Sequence, residues 1–140
     1  MIEHIPYADG IKMLTECYRV LKPGGKVRTS TPNLEAYIRL FSDHSPEAQD
    51  FIREKLKFHD WPKTTSPPTI ILNMQMREWF HAFLYDMRTL REVHEKAGFR
   101  TIREYPLGKS DDPVLNGIEY RVTREPQIAF FENMVVEATR

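Results

Sequence analysis

Apolar residues near the start of the chain recur at helical spacing. Ile11, Leu14, Tyr18 and Leu21 stand three or four positions apart and share one face of a helix predicted over Ala8–Leu21. Asp9 lies near its start, where a negative charge suits the positive end of the helix dipole. Lys22-Pro23-Gly24-Gly25 ends the helix, since proline cannot continue the ladder and glycine permits positive φ. Lys26–Thr31 then predicts a short strand closed by Pro32 and Asn33, more polar than a strand buried on both faces usually is. Further helices are predicted over Leu34–Phe41 and Pro46–Phe58, with Pro46 suited to a first helical turn. Three prolines and several Ser/Thr residues between Asp60 and Thr69 predict an irregular loop. Ile70–Phe83, rich in Met and aromatic residues, is ambiguous and reads best as helix.

The clearest later helix is Asp86–Ala97. Asp86 is its N-cap, Met87, Leu90, Val93 and Ala97 share a face, and Gly98 closes it. Phe99–Tyr105 reads as a strand, and Lys109–Pro126 as polar connection with a short strand or helix around Gly117–Val122. A final strand is predicted over Phe131–Thr139, through Met134, Val135 and Val136. The order of helix, strand, helical insertion, helix, strand, strand points to part of an α/β layered fold. It forms one domain over residues 1–140, with a helical insertion or lid at about 34–84.

Charge and composition narrow the function classes. Of 140 residues, 20 are Lys or Arg and 20 are Asp or Glu, so the formal net charge is +0. That balance argues against a nucleic-acid binder relying on a basic surface, and against a polybasic membrane anchor. No uninterrupted apolar run exceeds four residues, so no membrane span is expected. The first residues lack the basic and apolar regions of a signal peptide. The single cysteine, Cys17, cannot form an internal disulfide and reads as a small half-buried helix residue. These features together point to a reducing cytoplasm. The chain holds no phosphate loop, no G-x-G-x-x-G and no G-x-S-x-G elbow. Its five histidines, His4, His44, His59, His81 and His94, show no metal-ligand spacing, so no metal site is expected.

Three stretches go further when taken together. EHIPYADG at Glu3–Gly10, continuing to CYRVLKPGGKVRTSTPN at Cys17–Asn33, resembles the middle of a class I S-adenosylmethionine-dependent methyltransferase. HAFLYDMRTLREVHEKAGF at His81–Phe99 resembles the helix that follows and its entry into the sixth strand. GKSDDPVLNGIEYR at Gly108–Arg121 and the terminal NMVVEATR resemble the tail of a bacterial branch of predicted methyltransferases. The resemblance implies a partial Rossmann-like sheet holding the equivalents of strands five, six and seven, in the order five, seven, six, with the seventh antiparallel. It also implies S-adenosyl-L-methionine as cofactor. The glycine-rich loop and ribose-holding acidic residue of that family have no counterpart in this sequence, so the expectation is a chain that cannot bind the cofactor fully. Strand five would then present an open edge, and a homo-oligomer or a partner covering that edge is expected.

Candidate site residues follow from placing these segments on an open α/β sheet, whose ligands sit beyond the carboxyl ends of the strands. Glu3 and His4 would border the cofactor, with helix-start packing as the alternative. Thr31 and Asn33 face the same mouth, or serve only to turn the chain into a helix. His81 is the candidate to orient or deprotonate a methyl acceptor, its alternative being a hydrogen-bonded packing residue. Tyr85 and Trp79 are candidates to bind that acceptor. Trp61 and Phe80 could line the same site, core packing being the default for each aromatic. Asp111, Asp112 and Glu119 read as a solvated loop. The acceptor itself is not legible, and a non-catalytic module that self-associates or pairs with a partner chain is the alternative reading.

Overall fold

The computed structural model describes residues 1–57, 66–119 and 121–140. The expectations for Phe58, His59 and Trp61, for positions 60–65 of the proline-rich loop and for Tyr120 fall outside the described residues. A short 3₁₀ turn at Ile2–His4 precedes helix α1 (Tyr7–Val20), which buries Leu14 and Gly10. Ile11, Tyr18 and Leu21 pack on the same cluster, so the predicted helical face is the one used. Gly24, at φ +79, then makes the turn that a side chain would strain. Strand β1 (Lys26–Pro32) follows.

Three helices come next, α2 (Leu34–Arg39), α3 (Pro46–Lys57) and α4 (Pro67–Arg77). Helix α5 (Met87–Lys96) starts on a reciprocal cap, in which the Asp86 carboxylate accepts from the Thr89 N–H at 2.7 Å and the Thr89 hydroxyl accepts from the Asp86 N–H at 3.1 Å. Strand β2 (Thr101–Tyr105), the short helices α6 (Arg121–Arg124) and α7 (Pro126–Glu132), and strand β3 (Asn133–Thr139) complete the chain.

The sheet runs β1-β3-β2, with β3 in the middle and antiparallel to both neighbours. The predicted α/β layering is therefore present, on a small open sheet among the described residues. Met134, Val136 and Ala138 join Leu14, Leu90, Val93, Phe99 and Ile102 in one core beneath α1 and α5. On the other face Val135 packs with Leu107 and Ala129. A separate helical core joins Tyr37, Phe51, Ile71, Ile128 and Phe131 from α2, α3, α4 and α7. No helix among the described residues is long and apolar enough to cross a membrane.

The polar character of β1 is explained by its partners. Its buried Thr29 meets His94 of α5, Oγ1 to Nε2 at 2.9 Å, while His94 Nδ1 lies 2.7 Å from the Leu90 carbonyl. A donor at Nδ1 leaves Nε2 to accept from the threonine, so the fully buried ring is satisfied while neutral. Burial holds its pKa below the ordinary 6.5, against the upward pull of the Leu90 carbonyl. Once unfolded, the ring regains the higher value, so the unfolded chain binds the extra proton. Stability contributed by the neutral ring is thus present above pH 6.5 and is lost as pH falls below it. His94→Gln is expected to flatten the drop in urea midpoint between about pH 7.5 and 5.5; equal drops in both proteins would contradict this.

Several predicted boundaries are corrected. Pro67 and Thr69 do not lie in a loop but open α4, where proline costs no hydrogen bond. Pro126 likewise starts a helix that the apolar pattern concealed, and Phe131 belongs to it rather than to the last strand. Phe131 stacks on Phe51 with ring centroids 4.3 Å apart, so the helical core claims this residue before the sheet begins. Phe99 precedes β2 and is buried between helix and sheet. Glu119 is no solvated loop residue, for its carboxylate lies 2.5 Å from the buried Arg28 guanidinium. Asp111 is exposed in the loop, where it accepts from the Tyr105 hydroxyl, and Asp112 pairs with Lys26.

Candidate functional site

The carboxyl end of β1 is where chemistry-bearing side chains from three distant segments meet. The 3₁₀ turn sets Glu3 against this strand, and the Thr31 hydroxyl donates to Glu3 Oε2 at 3.1 Å. The Met1 ammonium donates to the same oxygen at 2.7 Å. Oε1 faces His4, whose Nε2 lies 3.6 Å away. Burial of Glu3 acts to raise its pKa, but the adjacent ammonium, backbone and Thr31 donors outweigh it and hold the carboxyl below its ordinary range.

His81 arrives from the segment between α4 and α5. The Glu3 carbonyl receives the N–H groups of Ala82 and Phe83, at 2.7 and 3.1 Å, which moors this segment to the 3₁₀ turn. Phe80 just before it adopts φ +57 and is 88% exposed, so a strained turn swings the following histidine inward. The expectation that Phe80 packs in the core is thereby corrected. His81 Nδ1 lies 2.6 Å from the Gln75 carbonyl, which makes Nδ1 the donor and leaves the Nε2 lone pair free. Burial lowers its pKa, and proximity of His4 adds to this against the pull of the carbonyl and of nearby carboxylates. The His4 and His81 rings lie 4.8 Å apart at an angle of 59°.

One nitrogen of each imidazole and one Glu3 oxygen fall within 4.8 Å of one another. No local pattern hints at this trio, because His81 reaches the other two only through the turn at Phe80 and the moored segment. The lack of metal-ligand spacing concerns proximity along the chain, whereas this trio is assembled by tertiary contact.

His81 also forms part of the wall of a cavity of about 220 Å³, with Pro32, Lys55, Gln75, Trp79, Glu125 and Glu132. Lys55 Nζ and Glu132 Oε2 form a 2.6 Å ion pair in that wall, and the Tyr37 hydroxyl donates to the same Glu132 oxygen at 2.6 Å. Neither Lys55 nor Glu132 stands out in the sequence, since each is one charge on an amphipathic helix.

Other candidates lie elsewhere. Trp79 is on the cavity wall and 43% exposed, so it is not the core residue that is the default for an aromatic. Asn33 serves as the N-cap of α2, its Oδ1 accepting from the Glu35 N–H at 3.0 Å. It borders a different surface depression, with Glu35, Arg39 and Phe130. Tyr85 is corrected as a binding residue. Its side chain is wholly buried between Tyr7, Phe83 and Gly10, and its hydroxyl has its pKa pushed up to about 12, mainly by burial. Only its carbonyl has a role near the mouth, accepting from the Leu34 N–H at 2.8 Å.

Comparison with protein-family models, with curated proteins and with solved structures returned no match to this chain.

Proposed function

We propose that this chain supplies the acceptor-side part of a class I S-adenosylmethionine-dependent methyltransferase. The single observation that carries the reading is the sheet order β1-β3-β2 with a reversed middle strand. This order agrees with the five, seven, six arrangement that the resemblance of the LKPGG and AGF segments implies. Convergence of Glu3, His4, Thr31, His81 and Trp79 at the carboxyl end of β1 supports it further, since open sheets bind ligands there.

The residues present do not fit the whole cofactor. The cavity at the site, about 220 Å³, is smaller than the roughly 300–1,000 Å³ of ordinary ligand pockets. Glu3 is already held by Thr31 and the Met1 ammonium. The sequence has no glycine-rich loop to approach the methionine end. Donor binding in this reading therefore needs residues beyond these 140. What this chain's own groups offer is an acceptor wall: His81 with a free Nε2 lone pair at near-neutral pH, and Trp79 as an apolar surface. In this reading the compartment is a reducing cytoplasm, where a chain with a single cysteine relies on no disulfide.

The alternative is a non-catalytic module that pairs through its sheet, and one feature favours it. The Asn33 N–H bonds the Glu132 carbonyl and the Arg140 N–H bonds the Gly25 carbonyl, so odd-numbered positions of β1 face β3. The backbone groups of Lys26, Arg28 and Ser30 then point outward, on an edge that no strand among the described residues covers.

Calorimetric titration with S-adenosylmethionine separates the readings when combined with light scattering. The methyltransferase reading expects no heat from the chain alone, and binding once a glycine-rich N-terminal half is added. Silence in both titrations together with a stable dimer supports the module. Micromolar binding by the chain alone would overturn the account of the donor site.

A further inference from the structure

We propose that Glu3, His4 and His81 form a binding site for a divalent first-row transition ion, Zn²⁺ in the first instance. The inference stands on geometry and does not depend on the methyl-transfer reading. Two imidazoles and one carboxylate are a donor set that suits zinc, iron, cobalt or nickel and is too nitrogen-rich for calcium or magnesium.

Each ligand atom is prepared for the task. His81 Nδ1 is occupied by the Gln75 carbonyl at 2.6 Å, so the ring is fixed in orientation and presents Nε2. Anchoring of the second nitrogen by a backbone carbonyl is the usual outer arrangement of a metal-binding histidine. Glu3 has one oxygen anchored by Thr31 and the Met1 ammonium, and the other, Oε1, turned to His4. The His4 side chain is 45% exposed, which leaves it free to close on an ion. With bonds of about 2.0–2.2 Å, tetrahedral ligands stand roughly 3.5 Å apart, so the present separations of up to 4.8 Å need only a small closing movement.

Three protein ligands leave at least one coordination position for water or an oxygen-donor ligand. His81 belongs both to this trio and to the wall of the 220 Å³ cavity, so the trio adjoins that cavity. The nearby Lys55 is already matched by Glu132 and brings no unopposed positive charge. The Met1 ammonium sits beside the carboxylate, but it occupies the oxygen that the ion does not need.

The test uses the tag-free full chain after chelation. Titration with Zn²⁺ is expected to give one equivalent bound at micromolar Kd. Co²⁺ should produce visible d–d bands whose intensity reports four or five ligands rather than six water oxygens. His4→Ala, at a half-exposed position and with circular dichroism verifying its fold, and Glu3→Gln should each weaken binding by at least about tenfold. His81→Ala should do the same, with circular dichroism verifying its fold. His44→Ala, exposed and not a member of the trio, should bind as the parent does. No binding at millimolar Zn²⁺ would overturn the proposal. So would several weak equivalents that survive in both His4→Ala and Glu3→Gln, since these mark scattered surface binding only.

Discussion

Replacing Arg28 by Met is expected to destabilise the fold by about 3–5 kcal/mol, a large share of the roughly 5–15 kcal/mol that holds a typical domain together. The Arg28 side chain is 2% exposed, yet its guanidinium bridges two carboxylates: Nε lies 2.5 Å from Glu119 Oε1 and Nη1 2.6 Å from Glu137 Oε1. Glu137 lies directly across from it on β3, and Glu119 folds over from the connection before α6. Methionine fills much the same volume but leaves two buried carboxylates facing each other with no cation. Arg28→Lys should fall between, since a point charge cannot serve both partners as the planar fork does. Urea unfolding of Arg28→Met and of the triple variant Arg28→Met, Glu119→Gln, Glu137→Gln checks the argument. The triple variant should recover most of the loss, because it removes the stranded charges as well. An unchanged midpoint in Arg28→Met would mean that the cluster is hydrated rather than buried.

Phe51→Ala should cost a similar amount, about 3–5 kcal/mol, by a different route. Phe51 is fully buried, stacks on Phe131 at 4.3 Å and meets Tyr37 edge-on at 6.1 Å. Alanine there leaves a cavity bounded by several helices that cannot all collapse into it. The loss should spread beyond the helices, since α7 carries Phe131 and runs without a break into β3 at the centre of the sheet. One cooperative urea transition, shifted to lower concentration, is therefore expected for Phe51→Ala. Separate transitions for helical and sheet signals would show that the two cores are independent.

The helices with a clear 3.6-residue stripe and a strong cap are legible from the residues alone. Asp86 and Gly98 bracket α5 by local chemistry, a side-chain acceptor at one end and a positive φ of 110° at the other, and neither depends on the rest of the molecule. Where local pattern misleads, a long-range partner is the cause. Phe131 looks like strand because apolar residues flank it, but Phe51, far earlier in the chain, holds it in a helix. Tyr85 looks like a pocket residue beside His81, but the backbone bridge from Asn33 to Tyr85 turns its ring into the core behind Gly10. Glu3, His4, Thr31 and His81 are each legible as candidates. The cavity wall of Lys55 and Glu132 is not, because nothing local distinguishes those two charges from solvated ones.

By itself the sequence determined the three strands and the helices α1, α2, α3 and α5 to within a few residues, the neutral charge balance and the lack of any familiar catalytic spacing. These are matters of periodicity, φ preference and composition, all settled within a few residues. Tertiary structure alone decided that the polar first strand buries Arg28 and Thr29 against matching partners, that Phe131 sits in a helix before the last strand, and that His81 meets Glu3 and His4. Those outcomes need contacts between residues far apart in the chain, where desolvation penalises every unpaired charge and so selects the one packing in which they are paired.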